Sequence, residues 1–340
     1  MRAVVYTETG DSSVLEVVQR EAADPGPGEV RVRIVRAGVN PTDWKFRAGG
    51  MDRLAFPEVV PGQDGAGVVD AVGPGVDGLA VGDRVWTMLA QHRRPGGTAQ
   101  ELVVLPVAHL TVLPDGASYD VGASLGVPAI TAHRALTTSE DGPDRLAPGA
   151  LFGRTVLVAG GAGAVGNAAI QLARWAGATV VATVSSDEKA RLATVAGAHH
   201  TVNHREGNTA DAIRDLAPDG VDIVVEVAPA QNIQLDLGVI KPRGTIAIYA
   251  NNGGDEVSLS IRKTFSTNAR FQWVLLYTVG EAVLRAAADD VTAAVADGAF
   301  GVGEDHGLPL HHFPLEQAAD AHAAVEHGAV GKVLLDVGNA

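Results

Sequence analysis

The sequence predicts an α/β protein of two domains, in which a doubly wound parallel sheet is inserted into a β-rich domain. Three observations predict it. The chain has 340 residues, more than one hydrophobic core usually serves. Between residues 128 and 277, near-continuous apolar runs alternate with Ala/Leu-rich helical patterns, the signature of βαβ units. Before residue 128 and at the C-terminus, short Val-rich runs are instead broken by Pro and Gly, as in irregular β structure.

Each element has its own signal. The run Val30-Arg31-Val32-Arg33-Ile34-Val35 reads as a strand, and Pro25-Gly26-Pro27-Gly28 and Pro61-Gly62 read as turns. Thr155–Val158, Thr179–Thr183, Asp222–Val225 and Thr245–Tyr249 are the strands of the parallel sheet, each apolar enough to be covered on both faces. The Ala-Ile-Gln-Leu-Ala-Arg pattern predicts a helix over Asn167–Ala176. Arg270–Tyr277 reads as the last strand of that sheet. From about Gly280 come two Ala-rich helical patterns and the strand Lys332–Val337, so the tail is expected to rejoin the first domain. The predicted division is 1–127 with 278–340 as the β-rich substrate domain, and 128–277 as the nucleotide-binding domain.

Composition removes whole classes of function. The formal net charge of −14 disfavours nucleic-acid or anionic membrane partners, which select basic surfaces. With no cysteine, disulfides, thiol nucleophiles, thiolate zinc sites and iron–sulfur clusters are excluded together. No apolar run approaches the length of a membrane span. The opening Met1-Arg2-Ala3-Val4-Val5-Tyr6 has no signal-peptide layout, so a cytoplasmic location is expected.

The sharpest motif is Val156-Leu157-Val158-Ala159-Gly160-Gly161-Ala162-Gly163-Ala164-Val165-Gly166. It holds G-x-G-x-x-G between a strand and a helix, the context in which glycines let backbone approach a pyrophosphate at a helix N-terminus. Gly161 through Gly166, with Ala162, Ala164 and Val165, are therefore expected to bind a dinucleotide in a Rossmann-type fold. A ligand-free glycine turn is the bland alternative. An NAD site places a carboxylate at the end of the next strand. Here Thr179–Val184 carries no acid and is followed by Ser185-Ser186-Asp187-Glu188-Lys189. Two hydroxyls and a lysine suit a 2′-phosphate, so NADPH is the expected cofactor. Asp187 reads either as a displaced ribose partner or as a helix N-cap.

These motifs, together with Ala37-Gly38-Val39-Asn40-Pro41, Pro61–Val69, Val81-Gly82-Asp83-Arg84-Val85, Gly126–Ala132 and Gly197–Glu206, resemble the medium-chain dehydrogenase/reductases. Within them the chain resembles the zeta-crystallin type of NADPH:quinone reductase over essentially its full length. The resemblance implies a GroES-like fold for the β-rich domain. It also aligns Asn40, Gln63 and Val127 with the catalytic zinc ligands of the related alcohol dehydrogenases, and none of the three is a plausible zinc ligand. The remaining histidine groups, His199/His200/His204 and His311/His312, are weak candidates, so no metal is expected.

Without a metal to polarise an alcohol, the expected substrate is an acceptor already electrophilic: a quinone, or alternatively an α,β-unsaturated carbonyl or thioester. A third alternative is an NADPH-binding protein with little turnover. The resemblance implies Ser185, Ser186, Lys189 and His204 around the 2′-phosphate, and Tyr249, Ala250, Asn251 and Leu276 near the nicotinamide. It implies Lys332 at an element that closes over the cofactor, and Asn40 and Thr131 at the polar floor of the acceptor pocket; Trp44 and Tyr277, as aromatics, are expected either to supply flat walls for a quinone or to serve as core or interface residues. Lys45 and His133 are candidate proton donors. A homodimer or homotetramer is expected, because the edge strand after Arg270 is long and apolar.

Overall fold

The computed structural model describes residues 1–50, 54 and 56–339. The chain forms two compact units, Met1–Val127 with Pro309–Ala340, and Pro128–Leu308. It enters the first through β1 (Arg2–Val5), β2 (Glu16–Gln19), β3 (Glu29–Val39), helix α1 (Pro41–Arg47), β4 (Asp64–Val72), β5 (Arg84–Thr87), β6 (Leu102–Pro106), β7 (Leu110–Val112) and α2 (Tyr119–Gly122). The second unit begins with α3 (Ile130–Leu136), β8 (Thr155–Ala159), α4 (Ala164–Trp175), β9 (Thr179–Val184), α5 (Asp187–Val195) and β10 (His200–Asn203). It continues with α6 (Thr209–Leu216), β11 (Val221–Glu226), α7 (Pro229–Val239), β12 (Ile240–Ile248), α8 (Ile261–Phe265), β13 (Arg270–Trp273) and α9 (Glu281–Ala296). The chain then returns with β14 (Leu310–Pro314), α10 (Ala318–Glu326) and β15 (Lys332–Asp336).

In the second unit six strands pair in the order β10-β9-β8-β11-β12-β13, and every pair is parallel. This is the doubly wound order, in which the chain direction across the sheet reverses beside β8 and leaves a crevice at the strands' carboxyl ends. The apolar runs that predicted these strands are why they are central: Val156, Leu157, Val158, Val180, Val181, Ile223, Val224 and Val225 are all buried. Parallel strands need a helical cover on each face, and α4 supplies one with its buried Ala168, Ala169, Ile170 and Leu172.

The last strand is shorter than its sequence suggests. It ends at Trp273, and Leu276–Thr278 turns into a 3₁₀ segment. The segment 278–308, read from sequence as part of the β-rich domain, lies instead in the second unit, where α9 packs on α3 and α4. Its Ala-rich face (Ala287, Ala288, Val291 and Ala294 are buried) permits that close helix approach. In a sequence, such a face does not say which partner it covers.

The first unit is a mainly antiparallel sheet with β3 at its centre, flanked by β15 on one side and β4 on the other. The alternating Val30, Val32 and Ile34 enter its core with Leu105, Leu315 and Leu335. Among the described residues no helix is long and apolar enough to cross a membrane.

Candidate cofactor and active site

The glycine turn follows β8 directly. Gly160 has φ +69, Gly161 N–H donates to Thr183 O at 3.1 Å, and Gly163 is the residue capping the N-terminus of α4. The glycines serve different purposes. A Cβ on Gly161 would lie 2.8 Å from the Ala182 Cβ, and one on Gly166 would lie 2.3 Å from the Gly160 carbonyl oxygen. Both are demanded by packing. A Cβ on Gly163 would meet nothing nearer than 3.5 Å, at a φ of −79 that any residue adopts. The fold alone does not require glycine there, whereas a pyrophosphate approaching the helix N-terminus does.

At the end of the neighbouring strand, Lys189 Nζ donates to Ser185 Oγ at 3.1 Å and Lys189 N–H to Ser186 Oγ at 3.3 Å. Ser186 is therefore the N-cap of α5, and Asp187, which the sequence suggested for that role, occupies the first helical position. Because β10 pairs with β9, His204 N–H donates to Val184 O at 2.9 Å. This pairing sets the exposed His204 just past the end of β10, next to the end of β9. The strand end carries no carboxylate.

Across the sheet, Tyr249, Ala250 and Asn251 line a cleft with Pro229, Trp273 and Leu275. Leu276, expected there, is buried, and Tyr277 follows it in the 3₁₀ turn. The floor of this end is held by a carboxyl pair that sequence reasoning missed. Glu226, the last residue of β11, accepts from Ala228 N–H and, at 3.1 Å, from Asn232 Nδ2. Burial raises both Glu226 and Asp236, and the Glu226 charge raises Asp236 further. Burial, then Glu226, also pushes the Tyr249 hydroxyl up, which keeps it neutral.

In the first unit, Asn40, Asp64 and Lys332 meet. Lys332 Nζ donates to Asn40 Oδ1 at 2.7 Å and to Asp64 Oδ2 at 3.2 Å. Asn40 Nδ2 donates to Asp64 Oδ2 at 2.8 Å, and Val127 N–H to Asp64 Oδ1 at 2.7 Å. Lys332 is 1% exposed, so the reading of this side chain as a cofactor contact is corrected: its ammonium is enclosed by the Asn40 and Asp64 side chains. Asp64 and Asp43 went unassigned from sequence. Burial, with Asp64 second, pushes Asp43 up to about 7, while its Oδ2 accepts from Asn40 N–H at 2.7 Å. Trp44 and Lys45 follow on α1, half-buried, with the Lys45 ammonium 5.9 Å from the Trp44 ring centre.

Thr131 and His133 lie on α3 and are both buried. His133 was expected to donate a proton to product. Instead its Nε2 pairs with Asp290 Oδ2 at 2.8 Å, and Arg145 and Leu146 N–H bind the same carboxylate. A buried ring engaged in this way joins α3 to α9 and is not placed to protonate a substrate. Burial alone would raise Asp290, but the bonds from His133, Arg145 and Leu146 bring it from 3.8 to about 2. Its stabilising contribution is then complete above about pH 4 and is lost as the pH falls through 2. Asp290→Asn is expected to cost about 2 kcal/mol at neutral pH and to flatten the stability profile between pH 4 and 2. Unfolding by denaturant at a series of pH values checks this, and an unchanged acid limb would contradict it.

The Zinc-binding dehydrogenase family model matches residues 164–293, and the Alcohol dehydrogenase GroES-like domain model matches residues 26–115. A quinone oxidoreductase of Lama guanicoe is 32% identical, covering 98% of this chain and 97% of that protein. A 2-haloacrylate reductase of a Burkholderia species is also 32% identical, over 95% and 94%. Among solved structures, a mycobacterial quinone oxidoreductase, in its native form and with NADPH, is 30% identical with TM-scores of 0.83 and 0.82. It covers 98% of this chain and 99% of its own. A structure titled NAD-dependent alcohol dehydrogenase is 32% identical, with a TM-score of 0.83 and coverage of 99% and 100%.

The first model's description implies zinc, and the residues here do not fit it. Val127 offers no side-chain donor. Gln63 offers only an amide oxygen, a weak zinc donor, and the Asn40 oxygen already faces an ammonium, which a second cation would have to displace.

Proposed function

Because the chain belongs to the quinone oxidoreductase family of medium-chain dehydrogenases/reductases, we propose that it reduces quinones with NADPH, without a metal. That it is an oxidoreductase of this family follows from full-length relatives; the acceptor is the proposed part. The observation that carries the cofactor assignment is the Lys189–Ser185 pair, at the end of a strand that carries no carboxylate. Gly163 leaves the room a pyrophosphate needs, and α4 points its unpaired N–H groups there. Bound NADPH supplies hydride. The protein then has to hold the cofactor, seat a flat acceptor and exclude water.

The relative named for 2-haloacrylate reduction supports activated C=C bonds as the second reading. Oxidation of NADPH measured side by side with 1,4-quinones and enones tests the choice. Turnover of quinones at least about tenfold faster in kcat/KM is expected; turnover of enones alone would move the enzyme to the second class.

We further propose a homodimer closed through β13. Trp273 is 60% exposed, with Leu275, Phe265 and Ile261 also outside, an apolar margin on an edge strand that invites a second copy. Val274 N–H already donates inward to Ile248 O at 2.7 Å, so by alternation the Trp273 N–H faces the open edge. A dimer or tetramer is expected by light scattering at micromolar concentration, and Trp273→Lys is expected to shift it to monomer. A monodisperse wild-type monomer refutes the interface.

A further inference from the structure

The cleft beside Tyr249 has a volume of about 310 Å³, and every residue that lines it belongs to the second unit. It lies at the carboxyl ends of β12 and β13, on the opposite side of β8 from Ser185 and Lys189. A dinucleotide whose pyrophosphate meets the glycine turn after β8 sends one half to each side. Two strand spacings, about 10 Å, lead from β8 past β11 to β12, so the nicotinamide half arrives at this cleft. The charge of its lining is one-sided. Among the described residues that line it there is no Lys, Arg or His, and Asp255 is the one charged side chain. The loop after β12 holds Asp255 in place. Asn252 N–H donates to Val227 O at 3.1 Å and Gly254 N–H to Asn251 O at 3.2 Å, while Asn251 Nδ2 donates to Asp255 Oδ1. Gly253, at φ +84, lies so close to α7 that a Cβ on it would stand 2.4 Å from Gln231 Nε2. Beside the cleft, β11 ends on the buried Glu226, whose charge is felt at the Tyr249 hydroxyl.

We propose that Asp255 makes this cleft select the oxidised nicotinamide over the reduced one, so that cofactor binding itself favours hydride donation. The inference rests on the cofactor assignment proposed above. The reduced ring is neutral. Loss of a hydride, which carries two electrons to the acceptor, leaves the ring with one positive charge, and a carboxylate on the wall then attracts it. Ile248, Val257 and Val274 give the cleft apolar walls, which focus that field, although the exposure of Asp255 keeps the effect modest. A preference of about threefold for the oxidised form lowers the two-electron potential of the bound cofactor by about 14 mV.

The test is a ratio of dissociation constants for NADPH and NADP⁺, measured by titration calorimetry at low ionic strength in the wild type, Asp255→Asn and Glu256→Gln. The two forms share every part but the ring, so the ratio cancels changes elsewhere in the site. Asp255→Asn removes the charge and keeps the oxygen that pairs with Asn251. Glu256→Gln removes the same charge one residue away, outside the cleft lining. In Asp255→Asn, NADP⁺ is expected to bind about threefold or more weakly, with NADPH nearly unchanged. In Glu256→Gln the ratio is expected to stay within about 1.5-fold of the wild type. An unchanged ratio in Asp255→Asn overturns the proposal. So does an equal weakening of both forms, which would make Asp255 a contact to a shared part of the cofactor. An equal shift in Glu256→Gln also overturns it, because the effect would then belong to the net charge of the protein. If the wild type binds NADH and NAD⁺ in place of the phosphorylated pair, the 2′-phosphate reading fails by itself, and the same ratio taken with that pair decides the inference. Binding of neither pair ends both.

Discussion

Lys189→Ala is expected to raise the Michaelis constant for NADPH by about 10- to 100-fold and to leave NADH nearly unchanged. A charge-assisted bond to phosphate contributes roughly 1.5–3 kcal/mol, and each 1.4 kcal/mol is about tenfold in affinity. The Lys189 ammonium sits 3.1 Å from Ser185 Oγ, so a 2′-phosphate entering there meets a cation and a hydroxyl already side by side. NADH lacks that phosphate and has nothing to lose. The structure titled NAD-dependent alcohol dehydrogenase is as similar in fold as the mycobacterial reductase, so overall likeness does not choose between the cofactors. The strand end does. Steady-state kinetics with both cofactors check the expectation, and equal losses with each would remove the 2′-phosphate from this corner.

Two glycines of one motif are expected to fail in opposite ways. Gly166→Ala sets a Cβ 2.3 Å from the Gly160 carbonyl oxygen, so the turn must shift. A loss of about 2 kcal/mol or more in folding stability is expected. Gly163→Ala meets only an ordinary contact at 3.5 Å and should fold with an unchanged or slightly raised melting temperature. Its methyl group stands where a pyrophosphate would lie, so NADPH and NADH should both bind about tenfold or more weakly. Calorimetry with cofactor titration separates the two effects. Unimpaired binding in a well-folded Gly163→Ala would mean that the turn holds no pyrophosphate.

The parts of the fold that were legible in the sequence are those set by local patterning. Apolar runs fixed the parallel strands, and the run of glycines marked the turn from β8 into α4. Ser185 and Lys189 were legible because they lie four residues apart at a helix start, where one turn brings them together. The cluster around Asn40 was not. Asp64 and Lys332 are 268 residues apart, and only the register of β3 with two neighbours joins them. His133 misled for the same reason: its partner Asp290 lies 157 residues away, and an unpaired histidine in a sequence looks available for chemistry. The extent of β13 was overread because an apolar run does not show where sheet gives way to a 3₁₀ turn.

Nicotinamide oxidation with a 1,4-quinone, followed in chelator-treated buffer with NADPH and NADH in parallel, tests the central claim most directly. The account predicts quinone-dependent oxidation of NADPH at a rate that prolonged EDTA treatment leaves unchanged, with NADH at least about tenfold poorer in kcat/KM. Quinone reduction that is lost on chelation and restored by zinc, or that runs equally well on NADH, would contradict it.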